Sequence, residues 1–140
     1  MNTKEIGNKT EAMFLAEFLK FNVSVSIPFG NSEPYDVVIK TKEGFKSVQI
    51  KHAKYSNGCV VAYIKKFVGY RKRTTTTYQG LCDYIALWCE ELNKFYLIPI
   101  DDCGKRGLLH LRLVPTQSGV KQTIIWAEQY ELERQIKNII

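Results

Sequence analysis

The residues best able to do chemistry lie between Pro34 and Lys51. Pro34-Tyr35-Asp36 carries an acid, and Gln49-Ile50-Lys51 carries an amide oxygen, a main-chain carbonyl and an ammonium. Mg²⁺ takes one or two protein carboxylates and keeps several waters. Asp36 can supply a charged ligand, and the Gln49 side-chain oxygen and the Ile50 carbonyl neutral ones. Lys51 can orient a water or offset charge on a phosphate. A divalent ion held there lowers the pKa of a bound water and stabilises a pentacovalent phosphorus centre. A plainer reading of the same residues is a cross-strand ion pair between Asp36 and Lys51.

The element that must bring these groups together is a β-hairpin. Tyr35-Asp36-Val37-Val38-Ile39 and Phe45-Lys46-Ser47-Val48-Gln49-Ile50 flank the polar turn Lys40-Thr41-Lys42-Glu43-Gly44. Apolar, β-branched runs on either side of a short turn with glycine predict two antiparallel strands. Alternation then sends Val48 and Ile50 to one face and Gln49 and Lys51 to the other. A second carboxylate comes from upstream. Asn2, with Glu5 three residues on, forms a capping box and predicts a helix from Thr3 to Phe21. Phe14, Leu15 and Phe18 share the inward stripe with Glu11, whose carboxylate therefore needs a partner. Either Glu11 lies at the stripe's edge and pairs with a lysine, or its partner is the site itself, where Glu11 would bind through water or complete a second metal position. Glu17 falls on a different, solvated face.

The rest of the chain reads as alternating strands and turns. Asn22 to Ile27 alternates like a half-buried strand and stops at Pro28. After a turn at Lys54–Gly58, a strand is expected over Cys59–Ile64. Tyr84–Cys89 is nearly all apolar, as in a strand covered on both faces. Phe95–Ile100 is its expected antiparallel neighbour, at or near a sheet edge because Pro99 cannot donate to a ladder. A short strand over Leu108–Val114, a loop over Pro115–Gln122 and helical spacing at Trp126, Tyr130 and Ile136 complete the reading. Between them Lys65, Lys66, Arg71, Lys72 and Arg73 precede Thr74-Thr75-Thr76-Thr77-Tyr78-Gln79. Those cations, with Thr75, Thr77 and the Tyr78 ring, suit phosphate oxygens and base edges; the alternative is a solvated basic loop.

At 140 residues and 45% hydrophobic the chain is one domain, 1–140, able to bury a core without staples. Its net charge of +6 suits a polyanionic partner. No apolar run spans a bilayer, and Met1–Glu5 lacks the apolar stretch of a signal peptide, so a cytoplasmic location with no membrane contact is expected. Cys59, Cys82, Cys89 and Cys103 form no Cys-x-x-Cys pair and read as buried thiols rather than disulfides or zinc ligands.

Taken in order, the helix with Glu11, Pro34-Tyr35-Asp36 and Gln49-Ile50-Lys51 resemble the PD-(D/E)xK nuclease superfamily. More narrowly they are similar to its group I intron homing endonuclease branch, in which a Tyr-Asp pair opens the hairpin and Gln replaces the second acid. The likeness extends through the basic middle to Asp83-Tyr84-Ile85-Ala86 and to Glu90–Asp101. It departs where Tyr35 separates Pro34 from Asp36, where Gln49 is neutral, and where His52-Ala53 follows the lysine. The helix usual between the later core strands is also not evident between Lys65 and Leu81.

The resemblance implies an α/β, restriction-endonuclease-like core, with a mixed central β-sheet flanked by helices. It implies cleavage of double-stranded DNA with Mg²⁺, Mn²⁺ being able to substitute, by a homodimer or homotetramer. Asp36, Gln49, Lys51 and Glu11 would be catalytic. Asp36, Gln49, Ile50 and Glu11 would hold the metal. A Holliday-junction resolvase would use the same chemistry on branched DNA. The neutral Gln49 also admits a DNA-binding module that cuts weakly or not at all; an RNA-processing role, or a globular protein with incidental site-like residues, is the remainder.

Overall fold

The chain opens with helix α1, Thr3–Lys20. The Asn2 side chain accepts from the Glu5 N–H at 2.9 Å, and the Glu5 carboxylate accepts from the Asn2 N–H at 2.9 Å. Two orphan donors of the first turn are thereby satisfied, as the capping box requires. The structure is a computed structural model. It describes all residues except 31, 69–73, 106 and 116–123, and leaves the side chains of residues 67, 68 and 74 undescribed.

After α1 the strands are β1 (Val25–Ser26), β2 (Val37–Thr41), β3 (Gly44–Ser56), β4 (Cys59–Tyr63), β5 (Lys66–Val68), β6 (Thr74–Thr76), β7 (Tyr84–Cys89), β8 (Lys94–Pro99) and β9 (Leu108–Arg112). A 3₁₀ turn over Ala127–Tyr130 and helix α2, Leu132–Ile139, end the fold. Seven strands form one sheet in the order β1-β2-β3-β4-β9, with β7 beside β3 and β8 beside β7. The β3–β7 pair is parallel and the other pairs are antiparallel, so the sheet is mixed, as the resemblance implied. β5 and β6 form a small sheet of their own. Among the described residues no helix is long and apolar enough to cross a membrane.

β3 is the spine. Val48 pairs with Val37 of β2 and also with Tyr84 of β7, and the β7 ladder continues to Ala53 opposite Cys89. Lys54 to Ser56 then pair with β4. The expected strand end at Ile50 is therefore corrected: β7 supplies a buried neighbour through residues that look polar in sequence. Only Asn57-Gly58, at φ 49° and 76°, forms the turn expected over Lys54–Gly58. Both residues have positive φ, as a tight hairpin turn demands.

Each face of the sheet is buried. Val37, Ile39, Val48, Ile50, Ala86, Trp88 and Leu97 pack with Phe14 and Phe18 of α1 and Leu132 and Ile136 of α2. Ala53, Ile85, Leu87, Cys89, Tyr96 and Ile98 pack with residues of β4 and β9 and with Tyr78, Cys82 and Cys103. All four cysteines are buried and unpaired with one another. Among the described strands β8 has β7 as its one neighbour, and it ends at Pro99, the edge position expected for it. The helical spacing over Trp126–Ile136 divides into two pieces. Glu131 is extended (φ −56°, ψ 136°) and bridges Tyr96, so α2 starts one residue later. Beyond Pro115 the expected loop lies outside the described residues.

Candidate active site

Asp36 lies just before β2 and is fastened to β3 twice. Its N–H donates to the Val48 carbonyl at 2.9 Å, and its Oδ2 accepts from the Ile50 N–H at 2.8 Å. The second bond fixes the carboxylate at the point where β3 passes from Val48 to Lys51. Burial nevertheless pushes the Asp36 carboxyl above its ordinary range, against the opposing pull of the Ile50 N–H and the Lys51 ammonium. Glu11 arrives from α1. Its carboxyl is also raised, by burial first and then by the negative charge of Asp36.

The helix acid and the hairpin acid are thus electrostatic neighbours in a half-buried place. Like charges there oppose each other's ionisation. The cross-strand ion pair is not formed: among the described residues Lys51 makes no ion pair with Asp36 or Glu11. Its Nζ instead stands 5.3 Å from the centre of the Tyr78 ring. Gln49 lies next to the Ile50 carbonyl, to which its Nε2 donates a long bond of 3.4 Å.

The donor set tests well against a hard divalent cation. Every candidate ligand is an oxygen, the chemistry that Mg²⁺ or Mn²⁺ selects. Two mutually repelling carboxylates with raised pKa values are what a bound cation would relieve. Among the described residues no group of three or more His, Cys, Asp or Glu stands ready to hold a metal. The set here has two acids, so neutral oxygens and water would have to complete the shell, and Gln49 would have to turn its amide oxygen inward.

Two neighbours were not placed at the site by the sequence reading. Cys82 sits against the Gln49 N–H; burial, then the charges of Asp83 and Asp36, push its thiol up to about 11. Asp83 Oδ2 accepts from Ser47 N at 2.8 Å and from Ser47 Oγ at 3.2 Å, locking the start of β7 to β3 just ahead of the site. No spacing in the sequence points to Cys82. Asp83, immediately before a buried apolar strand, is the one available signal.

The basic segment is only partly described. Lys65 and Lys66 are half-buried, Thr75 is exposed and Thr77 half-buried. A Cβ on Gly107 would stand 3.0 Å from Lys65 Cε, so the lysine stem lies close against that backbone and would have to shift slightly for a side chain there. Arg71, Lys72 and Arg73 lie outside the described residues. Tyr78 departs from the expectation of a DNA-facing ring: it is 5% exposed, because the apolar cluster beneath Lys51 takes it in.

A family model for PD-(D/E)XK endonucleases matches residues 1–133. The chain belongs to the PD-(D/E)XK endonuclease family. No curated protein matches it. Among solved structures, this PD-(D/E)XK chain is similar to "a bacterial homing endonuclease: I-Ssp6803I", with a TM-score of 0.73 and 24% identity over 99% of this chain and 97% of that one. At that identity the likeness is one of fold, and it agrees with the restriction-endonuclease-like core. In this PD-(D/E)XK chain the described residues between β4 and β7 contain β5 and β6 and no helix.

Proposed function

We propose that this PD-(D/E)XK protein is a divalent-metal-dependent endonuclease that hydrolyses phosphodiester bonds in double-stranded DNA, in a homing- or restriction-like mode. The observation that carries the proposal is the approach of the Glu11 and Asp36 carboxylates, both raised by burial, with Lys51 within electrostatic reach of Asp36. Family membership supports nuclease chemistry. Asp36 and Glu11, helped by the Gln49 oxygen and the Ile50 carbonyl, would hold Mg²⁺ or Mn²⁺, which supplies a Lewis acid for water and phosphate.

The chain's own groups have the following work. The Ile50 N–H keeps Asp36 in one rotamer. Lys51 donates to the attacking water or to a non-bridging phosphate oxygen, offsetting charge as the phosphorus becomes five-coordinate. The net charge of +6, with Lys65, Lys66, Arg71, Lys72 and Arg73 in one segment, draws in the DNA backbone. A homodimer or homotetramer would match a near-palindromic duplex site, since two-fold protein symmetry is mirrored in DNA.

The neutral Gln49 favours one second reading, a DNA-binding module that cuts weakly. The test incubates the protein with supercoiled plasmid, a four-way junction and single-stranded DNA, with Mg²⁺ and with a chelator. Mg²⁺-dependent cutting of plasmid is expected. Cutting confined to the junction would replace the homing-like mode by a resolvase, and retention without cutting would leave the binding module.

A further inference from the structure

Lys51 is central to the proposed chemistry, yet among the described residues no carboxylate forms an ion pair with it. Its Nζ instead lies over a ring face, 5.3 Å from the centroid of Tyr78. We propose that Tyr78 is a positioning residue for Lys51, confining the ammonium beside Asp36 while leaving its N–H donors free for water and phosphate.

The physical argument turns on what each kind of partner takes from a lysine. A carboxylate attracts the ammonium but occupies its donors and cancels its charge. An aromatic face attracts the cation through its quadrupole and occupies no donor directionally. A lysine held in this way stays available for reaction. The platform is itself packed and hydrogen-bonded. Tyr78 belongs to the buried cluster that includes Cys82, Ile85 and Leu87. Its carbonyl accepts from the N–H groups of Leu81 and Cys82, at 2.9 and 3.3 Å. The next residue, Gln79, donates from its amide to the carbonyls of Ile100 and Gly104. The backbone that carries the ring is therefore tied both to the turn before β7 and to the turn after β8.

This role rests on the nuclease reading, so two measurements are needed. The first is independent of activity: proton NMR of the full chain, with the Lys51 resonances assigned by Lys51→Arg. Wild type should show Lys51 ε-methylene protons moved upfield by the ring current, and Tyr78→Leu should lose the shift. The absence of any such shift in wild type would overturn the contact.

The second measurement tests the role. Phenylalanine, then mono-, di- and trifluorophenylalanine, are placed at position 78, which drains the ring face while nearly preserving its shape. Mg²⁺-dependent nicking of supercoiled plasmid should slow stepwise in kcat, by roughly tenfold across the series. Plasmid affinity should stay level. A wild type that cuts while the series stays flat overturns the role of Tyr78 alone. A wild type that cuts no DNA overturns the nuclease reading and this role with it.

Discussion

Two charged regions of the molecule are built on opposite principles. In the cleft lined by Lys94, Arg112, Leu113, Trp126, Glu128 and Glu131, each acid has a cation at hand. Lys94 pairs with Glu131, and Arg134 with Glu128 at 3.5 Å. At the hairpin, Glu11 feels the negative charge of Asp36, and Lys51 lies over a ring instead of pairing with either acid. The cleft's two acids are paired with cations within the protein, whereas the hairpin holds like charges together and leaves its cation uncommitted. Surface pairs of the first kind stabilise by little. An arrangement of the second kind costs stability and is suited to receiving a ligand.

Substitution should separate the two regions most widely. Asp36→Ala and Lys51→Ala are each expected to lower plasmid cutting by about 10²- to 10³-fold, with retention of DNA in gels largely kept. Glu131→Gln in the cleft should leave cutting intact. A Glu131→Gln protein as inactive as Asp36→Ala would dissolve the contrast.

Next in size is the basic segment. Replacing Arg71, Lys72 and Arg73 together should weaken DNA binding and flatten its salt dependence by about 0.9 for each phosphate no longer neutralised. An unchanged affinity and salt slope would show that this segment does not touch DNA.

Divalent ions sharpen the comparison through stability. Mg²⁺ or Mn²⁺ at a hundredfold excess over Kd should stabilise wild type by about 2.7 kcal/mol in thermal melts, and Asp36→Asn should abolish that stabilisation. Without metal the sign reverses. A carboxyl whose folded pKa is raised favours the fold while protonated, and that contribution disappears as pH rises through the raised value. Asp36→Asn should therefore melt higher than wild type at neutral pH without metal. The two should converge below the usual carboxylate range. The smallest effect belongs to the cleft: Lys94→Met should cost no more than about 1 kcal/mol in a denaturant titration.

Much of this was legible from local rules. Asn2 and Glu5 announced α1, and the alternation around Lys40–Gly44 announced β2 and the first half of β3. Glu11 could be placed on the inward stripe because helical spacing is rigid. What local rules missed was set by distant partners. β3 continues past Ile50 to Ala53 because β7 lies beside it, 36 positions away in register from Val48 to Tyr84, and from there to Ser56 in its hairpin with β4. Thr74–Thr76 forms a strand that β-branching alone could have suggested, although the cations before it read as a loop. Tyr78 read as a nucleic-acid contact because aromatic rings beside cations suit that purpose. Its burial depends on Ile85 and Leu87, which no local pattern connects to it. At the far end, Glu131 breaks the helical spacing because a bridge to Tyr96 outweighs propensity.

The parallel ladder between β3 and β7 also bears on how the molecule reaches its native state. Glu11, Asp36 and Lys51 are all present in the first 51 residues, so the hairpin can close early. Its second flank cannot be satisfied until the chain has been made through Cys89 and returned, and such distant pairing is intrinsically slow. The Tyr78 ring beneath Lys51 is fixed by the same closure. Competence to cut should therefore emerge at a late stage of folding, after helix content has already formed.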